Sequence, residues 1–386
     1  MLFEFRLHPY AGIILNRFYG FVLSRRLLSD STPEAYTKLD DIKHRRKHFV
    51  HKAPFLIFAS RSRAAVARWA HNPKVGSSIL PFATRSAPGR IFSSNGPLMR
   101  SGFINFFGRP NAGKSTLLNF LLGEKLAIVS PKVQTTRHRI KGILTTEDYQ
   151  MVFSDTPGII DPKYPLHKRM MEAVRTALED ADLALLLVDV GSDLSESDQI
   201  FSQLKLNAPA WVLVTQSDKV GAADVEKAVQ YFQGKSYAQK VLSVSAQRKA
   251  DKTTLLKEMA AALPEGPLYF PADEISDAQT RFFASELIRE KIFELTSEEI
   301  PYHTTVVVRE FQEKTTLTKI VADIVVHRES QKAILLGERG AMIKKLGTAA
   351  RESIEQFIGR KVFLELFVKV RPKWRESELF LDEYGY

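Results

Sequence analysis

Gly108-Arg109-Pro110-Asn111-Ala112-Gly113-Lys114-Ser115 is a complete G-x-x-x-x-G-K-[ST] phosphate loop. It follows the apolar run 103–107 and leads into Ser115-Thr116-Leu117-Leu118-Asn119-Phe120-Leu121-Leu122, which reads as a helix. That strand–loop–helix setting is the one the motif needs. Its glycines let backbone N–H groups curl around phosphate oxygens at a helix N-terminus. Lys114 adds a point charge near the β- and γ-phosphates, and Ser115 offers a hydroxyl to Mg²⁺. The loop therefore predicts a nucleoside triphosphate site.

Outward from the loop, strand-like runs at 103–107, 140–145, 150–154, 182–188, 210–214 and 241–244 alternate with helical segments such as 168–178 and 225–232. This alternation predicts an α/β fold, a doubly wound P-loop domain with ligands at the C-terminal strand ends. Leu263-Pro264-Glu265-Gly266-Pro267 breaks the pattern, and 267–278 reads as a linker. A second, α+β domain is expected after it. Its elements are a helix near 279–295, strands 304–311 and 317–327, a short helix, a turn at 337–340, a helix near 342–357 and a strand 362–370. The predicted domains are thus 99–266 and 279–386, joined by 267–278.

Four further stretches supply the chemistry of a nucleotide switch. In Asp155-Thr156-Pro157-Gly158, after the apolar Met151-Val152-Phe153, the aspartate suits the Mg²⁺ water shell. Gly158 can offer its N–H to a γ-phosphate and move when that group leaves. Gln134-Thr135-Thr136-Arg137 offers a threonine to the metal, either Thr135 or Thr136. Thr215-Gln216-Ser217-Asp218 and Ser245-Ala246-Gln247 each follow a strand. The Asp218 carboxylate can accept from N1–H and the 2-amino group of guanine, whereas adenine would leave it unpaired, which predicts GTP and GDP as ligands.

Together these stretches make residues 99–386 resemble the Era family, bacterial ribosome-assembly GTPases of the TrmE–Era–EngA class. The resemblance implies GTP binding with Mg²⁺, slow hydrolysis and a role in assembling the small (30S) ribosomal subunit. Two departures stand out. The family's guanine motif is usually Asn-Lys-x-Asp; here it is Thr215-Gln216-Ser217-Asp218, as in Rho-class GTPases, so guanine selectivity is expected to persist with lower affinity. Ras-like enzymes orient the attacking water with a glutamine after Asp-x-x-Gly, but Ile159 occupies that place and cannot hydrogen-bond water. The resemblance suggests K⁺ instead. Asn111 matches an asparagine that in related GTPases helps to bind K⁺, so the expected catalytic set is Asn111, Lys114, Thr135, Thr136 and Gly158.

In the C-terminal part, Gly337-Glu338-Arg339-Gly340 lies between two helical segments, as in a KH module, where the GxxG turn admits a nucleic-acid backbone to helix N–H groups. Lys332, Arg339, Lys344 and Lys345 surround it, and Lys369, Arg371, Lys373 and Arg375 form a second basic cluster. The family resemblance implies a type II KH domain gripping the single-stranded 3′ end of 16S ribosomal RNA. Glu338 departs from the pattern. A competing reading is a GTPase switch whose C-terminal domain binds a protein or membrane surface.

The net charge of +11 arises entirely in residues 42–98, which hold eleven Lys/Arg and no acid. Residues 99–386 are neutral, so any electrostatic footprint there must be local. Three readings of 1–98 compete: an organellar transit peptide, a basic disordered tail, and an upstream start ahead of Met99. Zero cysteines exclude disulfides and thiolate metal sites. A monomer in the cytoplasm is expected, with the peripheral inner-membrane contact that the resemblance implies; a transit peptide would redirect it to a mitochondrion or plastid. His138 and His167 read as solvated residues of the switch region.

Overall fold

A computed structural model describes residues 99–386. The three readings of 1–98 lie outside the described residues. The first sheet has the strands β1 (Arg100–Phe107), β2 (Ile140–Thr145), β3 (Tyr149–Asp155), β4 (Leu183–Asp189), β5 (Ala210–Thr215) and β6 (Lys240–Ser243), in the order β2-β3-β1-β4-β5-β6. All pairs are parallel except β2 with β3, which form a hairpin across a three-residue turn. The central strands read as near-continuous apolar runs because helices cover both faces. One face packs Leu117, Leu118 and Leu121 of α1 (Lys114–Leu122) with Leu255 and Met259 of α5 (Lys249–Ala262). The other packs Val174 of α2 (Pro165–Glu179), Phe201 of α3 (Leu194–Gln203) and Phe232 of α4 (Ala222–Gln233).

Strand register assembles the site. Phe106 of β1 pairs with Asp155 of β3, and Asp189 of β4 with Thr215 of β5. Each motif therefore emerges at the same C-terminal edge of the sheet, beside the phosphate loop.

Residues 267–278 form neither helix nor strand, yet they are fastened along β2 and β3. Gln150, fully buried, accepts from the Tyr269 and Phe270 amides at 2.7 and 3.0 Å and donates to the Phe270 carbonyl at 2.8 Å. Lys141 pairs with Asp277 at 2.8 Å.

The second sheet has the order β7 (Thr305–Glu313), β8 (Thr318–Val326) and β9 (Val362–Val370). β7 and β8 are antiparallel, whereas β8 and β9 are parallel and need a crossover. That crossover is α8 (Glu329–Leu336), a one-turn 3₁₀ helix (Glu338–Gly340) and α9 (Ala341–Ile358). Val362, Leu364, Leu366, Val368 and Val370 alternate inward onto the helices, leaving Phe363 and Phe367 on the outer face.

Helix α6 (Thr280–Leu295) is buried on more than one side. Ala284, Leu287, Ile288 and Ile292 enter the second core, while Phe283 enters the first. A helix sandwiched in this way loses the one-sided stripe of a surface helix. Two short C-terminal elements, a 3₁₀ turn (Trp374–Glu376) and α10 (Glu378–Glu383), were not expected from the sequence. Trp374 and Leu381 pack against Leu166 and Met170 of α2.

Candidate nucleotide site and RNA-facing turn

The phosphate loop closes because its glycines adopt backbone forms closed to other residues. Gly108 has φ +149, and a Cβ there would stand 2.4 Å from the Leu187 carbonyl oxygen. Asn111 is also left-handed, at φ 63, a conformation asparagine tolerates. Lys114 is buried and donates to the Gly108 and Arg109 carbonyls at 3.1 and 2.8 Å. Burial pushes its pKa down to about 8, with the nearby Asp155 carboxylate opposing the fall.

Three oxygens meet beside it. Ser115 Oγ donates to Asp155 Oδ2 at 2.6 Å, Thr136 Oγ1 donates to the same oxygen at 2.9 Å, and the two hydroxyls are 2.9 Å apart. Asp155 is fully buried and its Oδ1 has no hydrogen-bond partner. Desolvation raises its pKa, against the opposing pull of Ser115, Lys114 and Thr136. A buried carboxylate with an orphaned oxygen beside two hydroxyls is a hard-oxygen donor set that fits Mg²⁺. The structure also separates the two threonines: the Thr136 hydroxyl joins this cluster, while Thr135 contributes a carbonyl to Arg289.

Gly158 is pressed against the phosphate loop. A Cβ on it would lie 2.6 Å from the Pro110 nitrogen, and the next amide, of Ile159, donates to the Gly108 carbonyl at 3.0 Å. The Ile159 side chain is partly buried and packs against the core on the α2, α3 and α4 face of the sheet. Thr156 Oγ1 donates to the Phe106 carbonyl at 2.5 Å, so Thr156 and Pro157 serve the loop's backbone path.

At the base end, Thr215 Oγ1 stands 2.9 Å from the Ala112 carbonyl and 3.0 Å from that of Val188. A threonine thus braces the phosphate loop where the family usually has asparagine. Gln216, at φ 58, reaches the Asp189 carboxylate at 2.7 Å and the Asn111 carbonyl at 3.3 Å. Asp218 is exposed, and its Oδ1 accepts from Ser245 Oγ at 2.6 Å, which holds its pKa low. Ser245 is positioned in turn by Asp251, which accepts from its amide at 2.9 Å. Ser217 is buried with its hydroxyl unpartnered.

One cavity of about 460 Å³ joins these parts. Its lining includes Pro110, Asn111, Gly113, Lys114, Ser115, Thr135, Thr136, Gly158, Thr215, Gln216, Asp218, Ala246 and Gln247. Gly108, Arg109, Ala112, Asp155, Thr156, Pro157, Ile159, Ser217 and Ser245 do not line it. Asp189 and Lys219 line it too and were not anticipated. Asp189 is placed by the β4–β5 register, a long-range fact with no local signal.

The solvated reading of the two histidines is corrected. His167 is buried against Tyr164, with ring centroids 3.8 Å apart. His138 stacks on Tyr386 at 4.5 Å and meets Phe282 edge-on, and burial pushes its pKa down to about 4. His138 thereby joins the nucleotide half to the C-terminal half, whereas the contacts of His167, with Tyr164 and the Lys163 amide, stay within the nucleotide half.

The GxxG turn is solvent-facing. Glu338, Arg339, Lys344 and Lys345 are exposed, Lys332, Gly337 and Gly340 partly so. Gly337 (φ 69, ψ 176) permits no side chain, since a Cβ would stand 2.7 Å from Met342 Cβ. Gly340 opens α9 at φ 83 with free space around it. Exposed Ile334 on α8 adds apolar surface beside the turn. The second basic cluster is partly consumed elsewhere. Lys369 pairs with Asp323 at 2.7 Å, and Arg375 lies over Tyr164 and donates to its hydroxyl at 3.0 Å.

Comparison with known proteins agrees with both halves. A family described as "50S ribosome-binding GTPase" matches residues 103–216, and the KH domain family matches 299–375. GTPase Era of Geobacter metallireducens is 43% identical over 291 residues, covering 74% of this chain and 98% of the relative. GTPase Era of Clostridium kluyveri is 41% identical over 292 residues, covering 75% and 100%. A crystal structure of Era with MgGDPNP and nucleotides 1506–1542 of 16S ribosomal RNA aligns at TM-score 0.72 and 36% identity, over 75% of this chain and 99% of that one. Aquifex aeolicus Era bound to GDP and aluminium fluoride aligns equally well, with the same score, identity and coverage. With the cavity, the orphaned carboxylate and the KH turn all accounted for, the chain belongs to the Era family of GTPases.

Proposed function

We propose that this protein is a GTP-operated RNA chaperone that binds the 3′ end of 16S ribosomal RNA and gates assembly of the small ribosomal subunit. The observation that carries the reading is the single cavity spanning the phosphate loop, Thr136 and Asp218, in a chain that also presents an exposed GxxG turn. In this reading 99–266 is the GTPase domain, 267–278 the linker and 279–386 the type II KH domain. Asp218 selects guanine, the 108–115 backbone and Lys114 cradle phosphates, and Ser115, Thr136 and Asp155 hold Mg²⁺. Lys332, Arg339, Lys344 and Lys345 meet RNA phosphates around Gly337 and Gly340, with Glu338 pointing away. The protein works as a monomer in the cytoplasm. Among the described residues no helix is long and apolar enough to cross a membrane, so inner-membrane contact in this reading is peripheral.

Hydrolysis in this reading calls on a positive charge in addition to Lys114. Among the described residues no arginine lines the cavity, and Ile159 packs against the core. Asn111 lines the cavity and donates to the Pro131 carbonyl at 3.0 Å, tying the phosphate loop to the segment that carries Thr136. K⁺ beside Asn111 would neutralise charge developing between the β- and γ-phosphates, as an arginine finger does elsewhere. GTP turnover by the full chain should be about tenfold or more faster in KCl than in NaCl at equal ionic strength. Equal rates would remove K⁺ from the account, and turnover of ATP as fast as GTP would contradict the guanine reading.

A further inference from the structure

Thr136, the threonine at the metal cluster, sits on a loop with no helix or strand of its own. Such a segment holds one conformation only if something outside it fixes the backbone. The next residue does so. Arg137 is 4% exposed and turns away from the nucleotide cavity into the C-terminal domain. Its Nη1 donates to the Thr304 carbonyl at 2.8 Å, and its Nη2 donates to the Pro301 and Tyr302 carbonyls, each at 3.1 Å. The Tyr386 hydroxyl stands 3.3 Å from Nη1 and 2.9 Å from Thr305 Oγ1.

The three carbonyls come from α7 (Ile300–His303) and the residue that follows it. Final-turn carbonyls lack intrahelical partners, and a cation there is favoured by the helix dipole. The planar guanidinium can reach several such oxygens at once, which a lysine ammonium cannot do in one plane. On the other side of Thr136, the Thr135 carbonyl accepts from Arg289 of α6. Lys132 donates to the Phe293 and Thr296 carbonyls at the C-terminal end of the same helix. The loop is therefore clamped on both sides of Thr136, and each clamp belongs to the C-terminal domain.

We propose that Arg137 is a positioning residue for Thr136: the KH-side carbonyls of Pro301, Tyr302 and Thr304 hold Arg137, and thereby the Thr136 hydroxyl, against Ser115 and Asp155, so the C-terminal domain completes the Mg²⁺ side of the GTP site. The inference rests on the GTP·Mg²⁺ reading of that site. Arg137 touches no nucleotide; it acts through its neighbour. Residues that orient a metal ligand typically contribute 10–100-fold to metal affinity.

The test is the dissociation rate of a fluorescent GTP analogue from the full chain, followed across a Mg²⁺ titration and again in EDTA. Arg137→Ala should raise the Mg²⁺ concentration for half-maximal retention by about tenfold or more. Its rate in EDTA should match wild type, because the phosphate loop and Asp218 are untouched. Arg137→Lys should recover only part of the loss. Tyr386→Phe, which keeps the ring on His138 and removes one oxygen from Arg137, should shift the Mg²⁺ requirement in the same direction by less. If Arg137→Ala does not fold, these two variants carry the test.

Arg139 provides the control on the same segment. It is anchored inside the GTPase domain, to Asp180 at 2.5 Å and to Ser154 at 2.9 Å. Arg139→Ala should lower the melting temperature without moving the Mg²⁺ requirement. An unshifted requirement in folded Arg137 variants overturns the inference, and so does an equal shift in Arg139→Ala, which would make any loosening of the loop sufficient. Wild-type protein that retains no GTP analogue at any Mg²⁺ concentration overturns the nucleotide reading and the inference with it.

Discussion

Replacing Asp218 with asparagine should lower affinity for GTP by roughly 10³-fold while creating affinity for xanthosine triphosphate. The reason lies in the hydrogen-bond inventory. A carboxylate only accepts, and it has lone pairs for guanine N1–H, the 2-amino group and Ser245 together. Ser245 Oγ already donates to Oδ1 at 2.6 Å and keeps the group ionised, with the carboxyl exposed to the cavity. An asparagine amide would keep the oxygen on the Ser245 side and turn its NH₂ toward the guanine 2-amino group. Two donors would then face one another without an acceptor. Xanthine carries a carbonyl at that position and would accept from the new NH₂. Titration of the full chain with GTP and with the xanthine nucleotide checks both halves. An Asp218→Asn protein that binds GTP normally would place the base elsewhere.

The second large effect belongs to the C-terminal turn. Gly340→Asp should reduce retention of an oligonucleotide matching the 3′ end of 16S ribosomal RNA by about 100-fold or more, with GTP binding unchanged. The two glycines of the turn are not equivalent, which decides the choice of variant. Gly337 cannot carry a side chain without meeting Met342, so its replacement would test folding. At Gly340 the nearest atom to an added Cβ is Ile343 Cγ2 at 4.0 Å, and φ 83 is a left-handed form that aspartate and asparagine accept at modest cost. The aspartate therefore adds a negative charge where a phosphate is proposed to approach the start of α9, a region otherwise attractive to anions. Gly340→Asn, with the same backbone demand and no charge, should retain most of the binding. Equal loss in both variants would assign the effect to shape, and full retention in the aspartate variant would remove this turn from the interface.

Local patterning carried the reading a long way. The phosphate loop was legible because its chemistry demands contiguous residues, and the strand 362–370 because its apolar positions alternate over nine residues. What failed to show depends on contacts distant in sequence. Thr135 and Thr136 look equivalent in the chain; only the β1–β3 register and the clamp on Arg137 bring the Thr136 hydroxyl to Asp155. Helix α6 hides its role because Glu286, Arg289 and Glu290 are buried toward the GTPase half, and such charges read as solvent-facing in a sequence. For the same reason Arg375 looked like part of an RNA-facing basic cluster, whereas it is spent on Tyr164. The burial of His138 has no local signal because its partners, Tyr386 and Phe282, lie more than 140 residues away in the chain. The exchange of Asn-Lys for Thr215-Gln216 seemed a loss. In the fold, the Thr215 hydroxyl reaches the phosphate loop and Gln216 reaches both Asp189 and Asn111.

The central claim is that the nucleotide cavity and the KH turn belong to one machine. The clamp around Thr135-Thr136-Arg137 is the link between the two halves that reaches the metal cluster, beside the packing of Trp374 and Leu381 on α2, and contacts made at one site can bias the other through such shared elements. The most direct test is steady-state GTP turnover by the full chain, with and without an RNA oligonucleotide matching the 3′ end of 16S ribosomal RNA, alongside direct measurement of RNA retention. The account predicts that the RNA is retained and that turnover rises when it is present. Turnover indifferent to RNA, with no RNA retained, would contradict it and leave a GTPase switch whose C-terminal domain serves some other partner.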